Sequence, residues 1–179
     1  MKTWFTSDYH LGHANIIKYC ERPFKDLYHM NSTIIRNHNE RIKPGDSVFF
    51  LGDFCFRNTK GEKDGEGELS TADFYIQQLN GDFVFIKGNH DNNNSLKTKI
   101  LGVVIEIDNK QIYLVHKPDD YNPAYPINFV GHVHELWKFK KLKDGTHLIN
   151  IGCDQWNFMP ISYNEIMTEY TKWKKNNTD

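Results

Sequence analysis

The chain has 179 residues, with 22 Lys plus Arg against 23 Asp plus Glu, and hydrophobic residues make up 39%. That length suits one domain with a substantial core, here taken as residues 1–179, and the composition excludes a disordered or fibrous chain. A formal charge of -1 argues against charge-driven coating of nucleic acid or membrane, and there is no apolar run long enough for a transmembrane helix.

In chain order, Lys2 to Ser7 reads as a short buried strand that ends in Asp8-Tyr9-His10. Asn15 to Cys20 reads as a helical turn. Ile34, Ile35, His38 and Ile42 predict a helix over about 31–42, stopped by Pro44-Gly45-Asp46. Val48 to Leu51 is a continuous apolar run, as in a strand covered on both faces, and it ends at Gly52-Asp53. Residues 61–69 carry three glycines and five charges and read as a mobile surface loop. Ser70 to Asp73 can cap a helix that runs to about Leu79. Phe83 to Ile86 predicts a strand ending at Gly88-Asn89-His90-Asp91. Val103 to Ile107 and Gln111 to Val115 predict a hairpin about Asn109-Lys110, ending at His116. Ile127 to Val130 predicts a strand ending at Gly131-His132-Val133-His134. Trp137 to Leu142 and His147 to Ile151 predict a second hairpin, and Ser162-x-x-Glu165 a capping box that opens a C-terminal helix. Helices alternate with strands early and strands dominate later, which is an α/β sandwich with helices on sheet faces.

Five predicted strands thus end in polar clusters, and open α/β sheets gather their sites at the carboxyl ends of strands. Asp8, His10, Asp53, Asn89, His116, His132 and His134 supply two carboxylates, one amide and four imidazoles. A tetrahedral zinc takes four ligands, so this set suits two metals that share a carboxylate. Oxygen and nitrogen donors without thiolate favour Mn, Fe, Zn, Co or Ni over Ca or Mg. Two such ions are the device for in-line displacement at phosphorus, and His90 is left over to protonate a leaving alkoxide. Cys20, Cys55 and Cys153 fit neither a disulfide framework nor a Cys-x-x-Cys site, so a reducing, cytoplasmic setting is expected.

With Asp8-Tyr9-His10, Gly52-Asp53, Gly88-Asn89-His90-Asp91, His116 and Gly131-His132-Val133-His134 in this order, the chain resembles the calcineurin-like metallophosphoesterase superfamily. Ser7 to Ile17 is similar to its small prokaryotic and phage members that lack a cap domain. The resemblance implies a two-sheet αββα sandwich. It implies that Asp8, His10 and His134 bind a first metal, that Asn89, His116 and His132 bind a second, and that Asp53 bridges them. His90 is implied as the general acid. Two departures stand out. The serine/threonine phosphatases of the superfamily carry a second Asp where this chain has Phe56, so the partner that would orient His90 is missing; Arg57 is kept and could clamp a phosphate. His13, three residues past His10, is an additional candidate for substrate contact or for support of the ligands around it.

The leading expectation is a metal-dependent phosphoesterase with two divalent ions, most readily Mn. It would hydrolyse a small nucleotide-type phosphodiester, or a phosphomonoester, by direct attack of bridging hydroxide. A nuclease acting on exposed single-stranded ends is the enzymatic alternative, suggested by aromatic residues and by the lysines of 138–143. A catalytically silent interaction scaffold is a third reading, against which the complete ligand set speaks.

Overall fold

The computed structural model describes residues 1–56, 71–92 and 95–177. Its elements in chain order are β1 (Thr3–Thr6), α1 (Asn15–Tyr19), α2 (Leu27–Arg41), β2 (Ser47–Leu51), α3 (Ala72–Ile76), β3 (Asp82–Ile86), β4 (Gly102–Ile107), β5 (Lys110–Val115), β6 (Ile127–Val130), β7 (Phe139–Lys141), β8 (His147–Asn150), β9 (Ile161–Ser162) and α4 (Tyr163–Asn176).

Two sheets pack face to face. The first has the order β3-β2-β1-β9, with β1, β2 and β3 parallel and β9 antiparallel to β1. The second has the order β4-β5-β6-β8-β7, with a parallel centre of β5, β6 and β8 and an antiparallel strand at each edge. Phe5, Leu51 and Ile86 of the first sheet meet Ile112, Leu114, Phe129 and Ile149 of the second in one buried cluster, where Phe5 and Phe129 sit edge to face at 5.3 Å. On the outer face of the first sheet, Phe50 and Phe54 join Met30 and Ile34 of α2 and Tyr75 of α3. The outer face of the second sheet is a smaller cluster of Val115, Val130 and Leu148, against which Tyr113, Tyr121 and Trp137 pack. The expected two-sheet α/β sandwich is what the chain forms.

Local chemistry sets the element ends. Helix α2 begins four residues ahead of the expected Asn31, because the Asp26 side chain accepts the His29 N–H and caps the turn that carries Leu27 and Met30. From there Met30, Ile34 and His38 recur every fourth residue on the buried face. Helix α4 opens on the expected capping box of Ser162 and Glu165, and Ile161 and Ile166 flank it within the inter-sheet core, a hydrophobic staple. The β4–β5 turn falls at Asp108-Asn109, one residue before the expected position. Both residues have positive φ (52° and 58°), which the right-handed twist of a two-residue hairpin requires and which Asp and Asn tolerate. The two-residue strand β9 carries too little pattern to be read from sequence.

Candidate metal centre

The carboxyl ends of β1, β2, β3, β5 and β6 lie at one edge of the sandwich, and each delivers polar side chains there. Five of those residues hold left-handed backbone: Asp8 (φ 59°), His10 (51°), Asp53 (56°), His132 (71°) and His134 (44°). A left-handed non-glycine residue costs about 1–2 kcal/mol, and such strain collects at functional sites. Asp and His bear it better than most residues. After β1, β2 and β6 the backbone reverses its hand as it turns these side chains over the edge. The motif glycines let the loops touch. A Cβ on Gly88 would collide with the Asp53 carboxylate, and one on Gly131 with the Ser7 hydroxyl.

The side chains form two groups joined by one carboxylate. Asp8, His10 and His134 can place one donor atom each within a common sphere, and so can Asp53, His116 and His132. Oxygen Oδ2 of Asp53 lies 3.5 Å from His10 Nε2 and 3.4 Å from His116 Nε2, so it faces both groups at once. Its Oδ1 accepts the His90 backbone N–H at 2.9 Å. Asn89 Oδ1 stands 3.0 Å from His116 Nε2. Asp8 is fully buried, and its two oxygens share the His132 N–H at 3.2 and 3.0 Å.

The residues suit a cation. His10 Nε2 is buried with no hydrogen-bond partner, a costly state for a polar atom unless something else meets its lone pair. Donors held at about 2.0–2.2 Å by one ion lie roughly 3 Å apart, close to the spacings seen here. The electrostatics agree. Burial pushes the Asp8 carboxyl pKa up against the pull of His116 and His134. Burial also lowers His10 well below the ordinary imidazole range, which leaves it neutral and able to ligate. Asp53 goes the other way: burial raises it, but His116, His10 and the His90 N–H together hold it far below the carboxylate range.

Each group is held from behind. Nitrogen Nδ1 of His116 meets the Leu51 carbonyl at 2.7 Å. Nitrogen Nδ1 of His134 meets Asp154 Oδ2 at 3.0 Å. Burial lowers His134, but Asp154, with help from Cys20 and Asp8, outweighs it and raises the imidazole to about 11. Asp154 is itself gripped at both oxygens by the buried Arg22, through Nε at 2.8 Å and Nη2 at 2.9 Å. The same guanidinium donates to the backbone oxygens of Asp8 at 2.7 Å and Tyr9 at 3.0 Å. Asp91 ties the other strand ends, accepting the N–H groups of Asp53, Phe54 and Gly88 at 2.9, 3.1 and 2.8 Å.

His90 lies at the exposed rim, with its ring centroid 5.1 Å from that of His10, and one of its donors can also reach a group with His10 and Asp53. His13 is buried. It stacks on Phe56 at 4.5 Å and brings its Nδ1 to 3.4 Å from His10 Nδ1, so it backs His10. Burial and the charge of His90 lower its pKa to about 4. Arg57 and the loop 61–69 lie outside the described residues. Tyr9 and Phe54 are wholly buried core residues, and Tyr125 stacks on Tyr113 at 5.9 Å. Arg22 and Asp154 were not singled out by sequence. The usable signal was that Gly152-Cys153-Asp154 follows a predicted strand just as the five motif clusters do.

Comparison with known proteins bears on this edge. The family model of calcineurin-like phosphoesterases matches residues 1–176. An uncharacterised protein of Methanocaldococcus jannaschii is 34% identical over 180 residues, which is 97% of this chain and 93% of that protein. The crystal structure of a protein of unknown function from Aquifex aeolicus superposes with a TM-score of 0.66 at 25% identity, covering 93% of this chain and 97% of its own. The chain therefore belongs to the calcineurin-like phosphoesterase family, a family of metal-dependent phosphoester hydrolases that also holds non-catalytic members. No helix among the described residues is long and apolar enough to cross a membrane.

Proposed function

We propose that this member of the family is a phosphodiesterase working with two divalent ions, within a single domain over residues 1–179. Asp8, His10 and His134 hold the first ion, Asn89, His116 and His132 hold the second, and Asp53 bridges them. The observation that carries the reading is the position of Asp53 Oδ2, 3.5 Å from a histidine nitrogen of one group and 3.4 Å from one of the other. The donor set mixes carboxylate, amide and imidazole, which favours Mn, with Fe, Zn, Co and Ni as competitors. Bound there, such ions acidify water and neutralise phosphoryl oxygens.

The protein's own groups supply the rest. Asp53 stays ionised and keeps the two groups in register. Its contact with the His90 backbone N–H sets His90 at the mouth of the site. From there the imidazole gives its proton to the departing alkoxide as the P–O bond breaks and the water oxygen bonds to phosphorus. The open rim suits a small nucleotide-type diester rather than a substrate that needs a cap.

The test is hydrolysis of a dithymidylate, a diester whose leaving group is an alkoxide, by protein supplied with Mn. Turnover is expected, with a fall of about 10²–10⁴-fold in His90→Ala. Absence of turnover in the loaded wild type, or an undiminished rate in His90→Ala, contradicts the proposal.

A further inference from the structure

Beside the second group of side chains lies a cavity of about 470 Å³. Gly88, Asn89 and His116 are among its lining residues, so it adjoins the proposed metal centre. A space of this size holds a nucleoside-sized group. The walls differ in character. Lys87 and Lys117 contribute two ammonium groups, against one carboxylate from Asp120. Leu101, which is 69% exposed, lies with Tyr113 and Val115 on the apolar side.

The local structure explains why these groups stand there. Lys87 directly follows β3 and precedes Gly88-Asn89, and its backbone N–H donates to the Ile100 carbonyl at 2.8 Å, which fastens the strand exit to the segment that carries Leu101. Lys117 directly follows His116 and precedes a short 3₁₀ turn, Pro118–Asp120. The same strand ends that deliver Asn89 and His116 therefore deliver one lysine each. Tyr113 has its ring fixed by stacking on Tyr125, and it crosses Gly102, where any side chain would strike the phenol. That glycine in β4 keeps the wall flat.

A phosphorus atom held at the metal centre has ester groups that must lead away from it. One route is this cavity, which offers an apolar wall for a ring and two cations for a further anion. We propose that the cavity is the subsite for the ester group beyond the scissile phosphorus. Its ligand is a nucleoside carrying a second phosphate, with the ring against Leu101 and Tyr113 and the phosphate between Lys87 and Lys117. The inference rests on the metal-centre reading above and narrows it. The preferred substrates are short nucleotide diesters with an additional phosphate, and simple aryl diesters are poor ones.

The experiment compares kcat/KM for a terminally phosphorylated dithymidylate, the same dinucleotide without the terminal phosphate, and bis(p-nitrophenyl) phosphate. Wild type should prefer the phosphorylated dinucleotide over the unphosphorylated one by at least tenfold. The double variant Lys87→Met/Lys117→Met removes both cations that would meet the added phosphate and should lose that preference. Lys140→Met, on β7, should retain it. A second readout needs no turnover: thymidine 3′,5′-bisphosphate, titrated calorimetrically into chelator-treated protein, should bind wild type at least tenfold more tightly than the double variant. Failure of wild type to cleave any of the three diesters sinks the metal-centre reading itself. Cleavage without preference, a preference kept by the double variant, or one lost equally in Lys140→Met overturns the subsite.

Discussion

The two halves of the site are built from different supports. Behind His134 stand a carboxylate and a buried guanidinium: Asp154 takes the imidazole, and Arg22 takes Asp154 and the backbone of Asp8 and Tyr9. Behind His116 stands a backbone carbonyl, that of Leu51, and Asn89 and His116 line the cavity that also carries Lys87 and Lys117. The first half is anchored through charge in the protein interior, and the second is anchored through the sheet itself and faces the space a substrate can enter. A ligand histidine backed by a carboxylate is more basic and more firmly oriented than one backed by a carbonyl. On the proposed two-ion reading, the first half would hold its ion the more firmly, and the second would be the one open to exchange.

Substitutions can break this asymmetry. The largest effect is expected from Arg22→Met. It removes the guanidinium that holds both oxygens of Asp154, whose side chain is only 3% exposed, and with it the donors to Asp8 and Tyr9. Breaking a buried pair from one side costs about 3–5 kcal/mol, which urea denaturation should read as a lower midpoint. No loss of stability would mean that the anchor is not electrostatic.

Next comes acid. His38 is buried at the back of the first half, where its Nδ1 accepts the Tyr9 hydroxyl at 3.0 Å and its Nε2–H donates to the Asn80 carbonyl at 2.8 Å. Burial lowers its pKa to about 4, against about 6.5 in an unfolded chain. The unfolded state then binds more protons between those values, so stability is complete above pH 6.5 and falls as pH drops toward 4, by about 3 kcal/mol in all. Denaturation at pH 7 and pH 4.5 should show a steeper loss in wild type than in His38→Gln, which cannot titrate. Parallel losses would refute the assignment.

The smallest effect is the most selective. Asp154→Asn keeps a hydrogen-bond acceptor but not the charge, and loss of such a partner typically costs 10–100-fold in metal affinity. Metal titration of Asp154→Asn should show one weakened site beside one unchanged site. Equal weakening of both would erase the distinction between the halves.

The sequence made the seven polar side chains and His90 legible because each follows a strand, and a strand end is readable from apolar runs that stop at Gly, Asp, Asn or His. It did not show what orients them. Arg22 follows Glu21, a left-handed residue in a segment without periodicity, and its partner Asp154 is 132 residues away. Such a pairing exists only in the fold. For His13 the sequence left two places open, substrate contact or support of a ligand, and packing against Phe56 sets its ring beside His10. The same Phe56 occupies the place of the Asp that would orient His90, so the residue that removes one support provides another.

The account depends on one carboxylate serving two ions. Dialysis of the purified protein against Mn, followed by elemental analysis, tests this most directly. Two ions per chain are expected in wild type, with at least one lost in Asp53→Ala. A single ion per chain, unaffected by Asp53→Ala, would contradict it.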